Sequence, residues 1–148
     1  MLASSLEKIE QRTAVVGVVG LGYAGLPLVV GFAQAGLRVI GVDVDAGRVA
    51  ELQAGRSYVE DVPAATIAEL VRAGRLSATT DAAALAETDA IIICVPTPLR
   101  KSREPDLSFV VAASDRAVAL ARPGQLFVLE STTYPGTTDE ILAPRLAE

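Results

Sequence analysis

Gly20-Leu21-Gly22-Tyr23-Ala24-Gly25 stands between two apolar runs, Ala14-Val15-Val16-Gly17-Val18-Val19 before it and Leu26-Pro27-Leu28-Val29-Val30 after it. The first run is β-rich and reads as a buried strand over 14–19. The second reads as a helix over 23–35, with Gly36 placed as a C-terminal stop. Strand, glycine turn and helix in this order form the phosphate-holding turn of a dinucleotide-binding unit. Gly20 permits the tight turn, Gly22 lets the backbone approach a pyrophosphate without a Cβ in the way, and Gly25 lets the helix lie close to the strand. The helix N-terminus then offers unpaired N–H groups and a partial positive charge to an anion.

Working outward, Asp43 closes a second strand over 38–42, about 20 residues beyond the turn, where a carboxylate accepts hydrogen bonds from ribose hydroxyls and repels a 2′-phosphate. That favours NAD over NADP. Arg48, one helical turn later, adds a guanidinium suited to the ribose or the adenine face. The alternation continues. Helices are expected over 46–54, stopped by Gly55, and over 63–73, with Asp61 as a cap and Gly74 as the stop; residues 57–62 read as a linker between them. Further strands are expected over 76–79, 90–95 and 125–130. Asp81 caps a brief helix to residue 87, a Pro-rich charged loop follows at 96–105, and a helix covers 107–121. The last helix starts near Gly136, where Thr137-Thr138-Asp139-Glu140 has capping-box spacing. Strands alternating with helices mean an α/β fold with a doubly wound parallel sheet, of Rossmann type and a single domain. Residues 1–12 read as an amphipathic helical extension, with Leu2, Leu6 and Ile9 on one side, and 13–148 as the NAD-binding domain.

Composition limits the alternatives. The chain has 148 residues, 51% of them hydrophobic, which is enough to bury one domain's core. Its net charge of −5, without a basic block, argues against a nucleic-acid partner. The uncharged stretch 13–37 has the length of a membrane span, but its glycines and Pro27 break it into a strand and a helix. No membrane partner, secretion signal or metal site is expected; the single cysteine fits a reducing compartment and a cytoplasmic location. No kinase motif follows the glycine turn. The turn alone leaves an FAD protein open, and an S-adenosylmethionine-dependent transferase remains a third reading.

Four motifs together extend this picture. Val18-Val19-Gly20-Leu21-Gly22-Tyr23-Ala24-Gly25-Leu26-Pro27, Gly41-Val42-Asp43-Val44-Asp45, Val95-Pro96-Thr97-Pro98 and Glu130-Ser131-Thr132-Thr133-Tyr134-Pro135-Gly136-Thr137-Thr138 occur in order across nearly the whole chain. The chain resembles the N-terminal domain of the UDP-glucose/GDP-mannose dehydrogenase family. Ser57-Tyr58-Val59-Glu60-Asp61-Val62-Pro63 and Arg103-Glu104-Pro105-Asp106-Leu107 are most like the branch that oxidises UDP-N-acetylglucosamine or UDP-N-acetylmannosamine at C6. The resemblance implies that Gly20, Leu21, Gly22, Tyr23, Ala24 and Gly25 hold the pyrophosphate of NAD, and that Asp43 and Arg48 hold the adenosine ribose. It places Val95, Pro96 and Thr97 near the cofactor's middle and Ser131 and Thr132 near its nicotinamide end. Glu130, where the UDP-glucose enzymes often carry Lys, would touch the nicotinamide ribose or organise the site. Read on residue type alone, the Thr and Ser positions are ordinary turn formers after strands.

The family oxidises a primary alcohol to a carboxylate with two NAD, through a thiohemiacetal on a cysteine that the resemblance places beyond the first domain. A thiolate nucleophile is what that chemistry requires. No catalytic residue is expected in this chain: Cys94 lies in an apolar strand, where a buried thiol is the ordinary reading, and there is no His. The chain thus reads as the N-terminal piece of a longer, homo-oligomeric enzyme, binding NAD but needing the C-terminal part to meet a UDP-sugar. The alternative is a free-standing NAD-binding regulatory module. The charged loop 99–104 reads as solvated surface, with a lid or a substrate-phosphate contact as the other readings.

Overall fold

The computed structural model describes residues 2–148 of the chain. Strands β1 (Val15–Val19), β2 (Arg38–Val42), β3 (Leu76–Thr79), β4 (Ala90–Ile93) and β5 (Leu126–Leu129) form one sheet in the order β3-β2-β1-β4-β5. Every pairing is parallel; Val16 stands beside Val39 on one side and Ala90 on the other. Helices α2 (Gly25–Gln34), α3 (Ala46–Gln53), α4 (Ala64–Arg72) and α5 (Ser108–Val118) lie in the crossovers. The chain winds outward from β1 to β3, then returns to start β4 against the free side of β1. This reversal leaves a crevice at the carboxyl ends of β1 and β4, the topological switch point of such sheets.

The strands read as continuous apolar runs because both faces are covered. Val16, Val18, Val39 and Ile92 join Leu26, Val29, Leu52 and Ile67 in one cluster. Ile40, Val42, Ile91 and Ile93 join Leu85, Ala113 and Ala117 in the other. Successive residues of β4 therefore serve opposite layers, as a pleated strand dictates. The uncharged stretch 13–37 becomes β1, a turn and α2, and among the described residues no helix is long and apolar enough to cross a membrane.

Helix α1 (Leu2–Glu10) forms as read, and the described part of its apolar side is exposed. Leu6 and Ile9 are 54% and 47% exposed, while Met1 and the side chain of Leu2 lie outside the described residues. Polar contacts attach the helix instead. Lys8 Nζ donates to Asp89 Oδ1 at 2.6 Å, Val15 N–H donates to Asp89 Oδ2 at 2.9 Å, and Arg122 Nη2 reaches Asp89 at 3.4 Å. Asp61 does not cap α4; Pro63 is the cap residue and no side chain bonds the helix end. The capping box at 137–140 does not form either. Thr137 already has helical dihedrals, and its hydroxyl donates to Tyr134 O at 2.7 Å, so it is committed to the preceding turn. The segment Thr138–Leu142 is a wide π-type turn leading into α6 (Ala143–Ala147). Cys94 falls one residue past β4 but stays buried, its N–H donating to Val19 O at 2.7 Å. Asp81 caps a 3-10 turn (Ala82–Glu87) as expected, accepting from Ala83 N–H.

Candidate cofactor site

The glycine turn is shaped by steric necessity. Gly20 has φ +97°, and a Cβ there would stand 2.5 Å from Cys94 O. A Cβ on Gly25 would stand 1.7 Å from Gly20 O, so turn and helix start share one volume. Gly22 differs: only Arg48 Nη1, at 3.7 Å, comes near its missing side chain. The space above Gly22 is open, and no side chain caps the N-terminus of α2. Leu21 anchors the turn from below, fully buried in the space left by Gly41, where an added Cβ would meet its Cδ2 at 2.8 Å.

Asp43 sits at the end of β2 and is 6% exposed. Its Oδ2 accepts from Leu21 N–H at 2.8 Å and its Oδ1 from Asp45 N–H at 2.8 Å. Each carboxylate oxygen has a second lone pair, so acceptor capacity remains. Asp45 accepts from Gly47 and Arg48 N–H and so fixes the start of α3 and the direction in which Arg48 leaves it. Arg48 Nη1 lies 3.5 Å from Asp43 Oδ2, and its Nε 3.9 Å from Asp45 Oδ2.

Sequence reading missed Tyr58. Residues 57–62 are more than a linker, because Val59 and Val62 are buried in the core and hold the segment against the site. The Tyr58 ring lies under the Arg48 guanidinium, 5.7 Å from Cζ to centroid, and its hydroxyl donates to Leu21 O at 2.5 Å. Burial, with the Asp43 charge added, pushes the Tyr58 hydroxyl up to about 12, so it remains a donor. The only early signal was its place in the Ser57–Pro63 motif. Gly22, Tyr23, Asp45, Arg48, Glu51 and Tyr58 line an open cleft of about 440 Å³.

The other predicted residues meet at the carboxyl ends of β4 and β5. Thr97 Oγ1 donates to Thr132 O at 2.6 Å, and Ser131 Oγ donates to Val95 O at 2.9 Å. Glu130 N–H donates to Ile93 O at 2.9 Å, and its side chain is exposed, as is Pro96. These residues adjoin the glycine turn through Cys94 and Val95, which face Gly20. The two groups form one track across the switch point, with Asp43 and Arg48 at one end and Ser131 and Thr132 at the other. The thiol of Cys94 stays on the core side, where burial and the nearby Glu130 charge push it up to about 11. In the loop beyond, residues 99–104 are all exposed.

Comparison with known proteins shows what this chain is similar to. Residues 14–148 match the model of the UDP-glucose/GDP-mannose dehydrogenase family, NAD binding domain. The chain is 41% identical over 131 residues to a UDP-N-acetyl-D-glucosamine 6-dehydrogenase of Pseudomonas aeruginosa, covering 88% of this chain and 30% of that protein. It is 37% identical to a UDP-N-acetyl-D-mannosamine dehydrogenase of Yersinia pestis, covering 90% and 31%. The crystal structure of a ternary complex of GDP-mannose dehydrogenase from Pseudomonas aeruginosa superposes with a TM-score of 0.84 at 31% identity, over 88% of this chain and 31% of that one. The chain therefore spans about 30% of the length of the curated relatives it matches. These relatives are dehydrogenases, and the matches do not favour a free-standing regulatory module.

Proposed function

The chain belongs to the UDP-glucose/GDP-mannose dehydrogenase family as its NAD-binding domain, and from that premise we propose that it holds NAD for the C6 oxidation of a UDP-N-acetyl-hexosamine to the uronic acid, with two NAD per turnover. The observation that carries the binding geometry is the open volume over Gly22, bounded by Arg48 and flanked by the buried Asp43 carboxylate. A pyrophosphate fits there, against backbone N–H groups at the uncapped start of α2. Leu21, Tyr23 and Ala24 bring their backbone to the same turn. Asp43 accepts from the adenosine ribose hydroxyls, and Arg48 covers the ribose or the adenine face. Val95, Pro96 and Thr97 border the middle of the track. Ser131, Thr132 and Glu130 border its nicotinamide end.

When bound, NAD supplies the hydride acceptor. The residues of this chain bind and orient it and leave the nucleophile to the rest of the enzyme. Cys94 does not serve, because its thiol is buried and stays protonated at neutral pH. The choice of sugar nucleotide is supported by the names of the two UDP-N-acetyl-hexosamine relatives, and assembly into a homo-oligomer belongs to the same proposal.

Calorimetric titration tests the site. Loss of a charged acceptor for ribose hydroxyls weakens NAD by about 10- to 100-fold in Asp43→Ala. Because Asp43 also holds Leu21 and Asp45 N–H, the NAD-to-NADP affinity ratio is the decisive reading. Wild type prefers NAD, and Asp43→Ala narrows that preference by removing the charge that repels a 2′-phosphate. Equal NAD affinity in both proteins would remove Asp43 from the site.

A further inference from the structure

Four residues from separate segments close a circuit around the adenosine end of the cleft. Asp43 Oδ2 accepts from Leu21 N–H at 2.8 Å, and Leu21 O accepts from the Tyr58 hydroxyl at 2.5 Å. The Tyr58 ring supports the Arg48 guanidinium at 5.7 Å, and Arg48 Nη1 returns to Asp43 Oδ2 at 3.5 Å. The circuit ties the glycine turn, the end of β2, the first turn of α3 and the 57–62 segment together.

Within it, Arg48 is the member with most freedom. Its side chain is 38% exposed and its two ion pairs are long, at 3.5 and 3.9 Å. A guanidinium held only by such contacts samples many rotamers. Tyr58 supplies the missing restraint. It is half-buried, its hydroxyl is committed to Leu21 O, and Val59 beside it is rooted in the core. The ring is therefore held in place, and the cation over its face is restrained relative to its other rotamers.

We infer that Tyr58 is a positioning residue of the nucleotide site, which presets the Arg48 guanidinium through its ring and the glycine turn through its hydroxyl. This rests on the reading of the cleft as the NAD site. Presetting lowers the ordering cost that a ligand would otherwise meet on arrival. The two arms are separable. The hydroxyl acts on the backbone of Leu21 whether or not Arg48 is present, whereas the ring acts through Arg48.

The test is NAD titration of the 148-residue chain carrying Tyr58→Phe or Tyr58→Leu, each in the wild-type and Arg48→Ala backgrounds, with circular dichroism and thermal melts as folding controls. Tyr58→Phe keeps the ring and loses one hydrogen bond, so NAD binds about three- to tenfold more weakly in both backgrounds. Tyr58→Leu loses a further factor of about two to five with Arg48 present, and that extra factor disappears in Arg48→Ala. A Leu-to-Phe ratio that is the same in both backgrounds overturns the positioning role, since Tyr58 would then act on the ligand or the fold directly. Tyr58→Phe binding NAD as wild type does overturns the hydroxyl arm, and should Tyr58→Leu not fold, this result still decides that arm. Failure of the proposed site itself looks different: wild type and Asp43→Ala would then bind NAD equally, and the inference would fall with it.

Discussion

Gly20, Gly22 and Gly25 carry the same hydrogen atom as a side chain, yet a methyl group would do something different at each. At Gly25 the added carbon would lie 1.7 Å from Gly20 O, a backbone atom that cannot swing aside. Gly25→Ala therefore shifts the start of α2 against the turn and costs about 3 kcal/mol or more, read as a lowered denaturation midpoint. At Gly22 the nearest atom is the mobile end of Arg48, 3.7 Å away. Gly22→Ala leaves stability within about 0.5 kcal/mol, the usual range for a surface change, while NAD affinity falls about tenfold or more because the methyl occupies ligand space. Calorimetry and melts on the same samples separate the two effects. A Gly22→Ala protein that binds NAD as wild type does would move the pyrophosphate elsewhere. Asp43 was legible in the sequence because its distance from the turn is a consequence of one strand-helix-strand unit. Tyr58 was not, because its role depends on a through-space contact between a ring and a guanidinium on different segments.

At the level of elements, the sheet has two chemically different ends. The carboxyl ends of β1 and β4 carry the candidate site, and the amino ends are closed by Asp89, which joins α1, β1 and Arg122. Burial works against the Asp89 charge, but the Lys8 ammonium, the Val15 N–H and Arg122 outweigh it and hold the carboxyl below its usual range. A folded-state value below the unfolded one makes the carboxylate stabilising above the unfolded value of about 3.9. That contribution is lost as pH falls through the folded value. Asp89→Asn thus costs about 1–3 kcal/mol at neutral pH, the range for a hydrogen-bonded charge whose partners are partly exposed. The gap to wild type closes below pH 4. Denaturant titrations across this range check it, and a gap that persists unchanged at low pH would contradict the assignment. Two caps that sequence reading placed do not form: Pro63 takes the cap position in front of α4, and the Thr137 hydroxyl is already claimed by the preceding turn.

On the scale of the whole molecule, binding and chemistry are predicted to separate. A ligand at 100 times its Kd stabilises the folded state by about 2.7 kcal/mol. For a chain of this length that raises the melting temperature by roughly 5–10 °C. NAD is expected to do this and S-adenosylmethionine is not. The same protein with NAD and UDP-N-acetylglucosamine is expected to form no NADH, because under the proposed function the sugar nucleotide is held by the rest of the enzyme and Cys94, buried and protonated, cannot serve the second oxidation. Absorbance at the NADH band checks this, and steady NADH formation would contradict the division of binding and chemistry.

Period and spacing along the chain determined the order of strands and helices, the parallel sheet, the glycine turn and its partner Asp43. These depend on backbone sterics and on which face of each element is apolar, both of which are written locally. Only the tertiary structure decided which of the candidate groups meet. It brought Thr97 to Thr132, committed Thr137 to a turn, fastened α1 through the Lys8–Asp89 pair, and set Tyr58 beneath Arg48. Such contacts are chosen by competition among groups that the fold makes neighbours, and no window of sequence contains all the competitors.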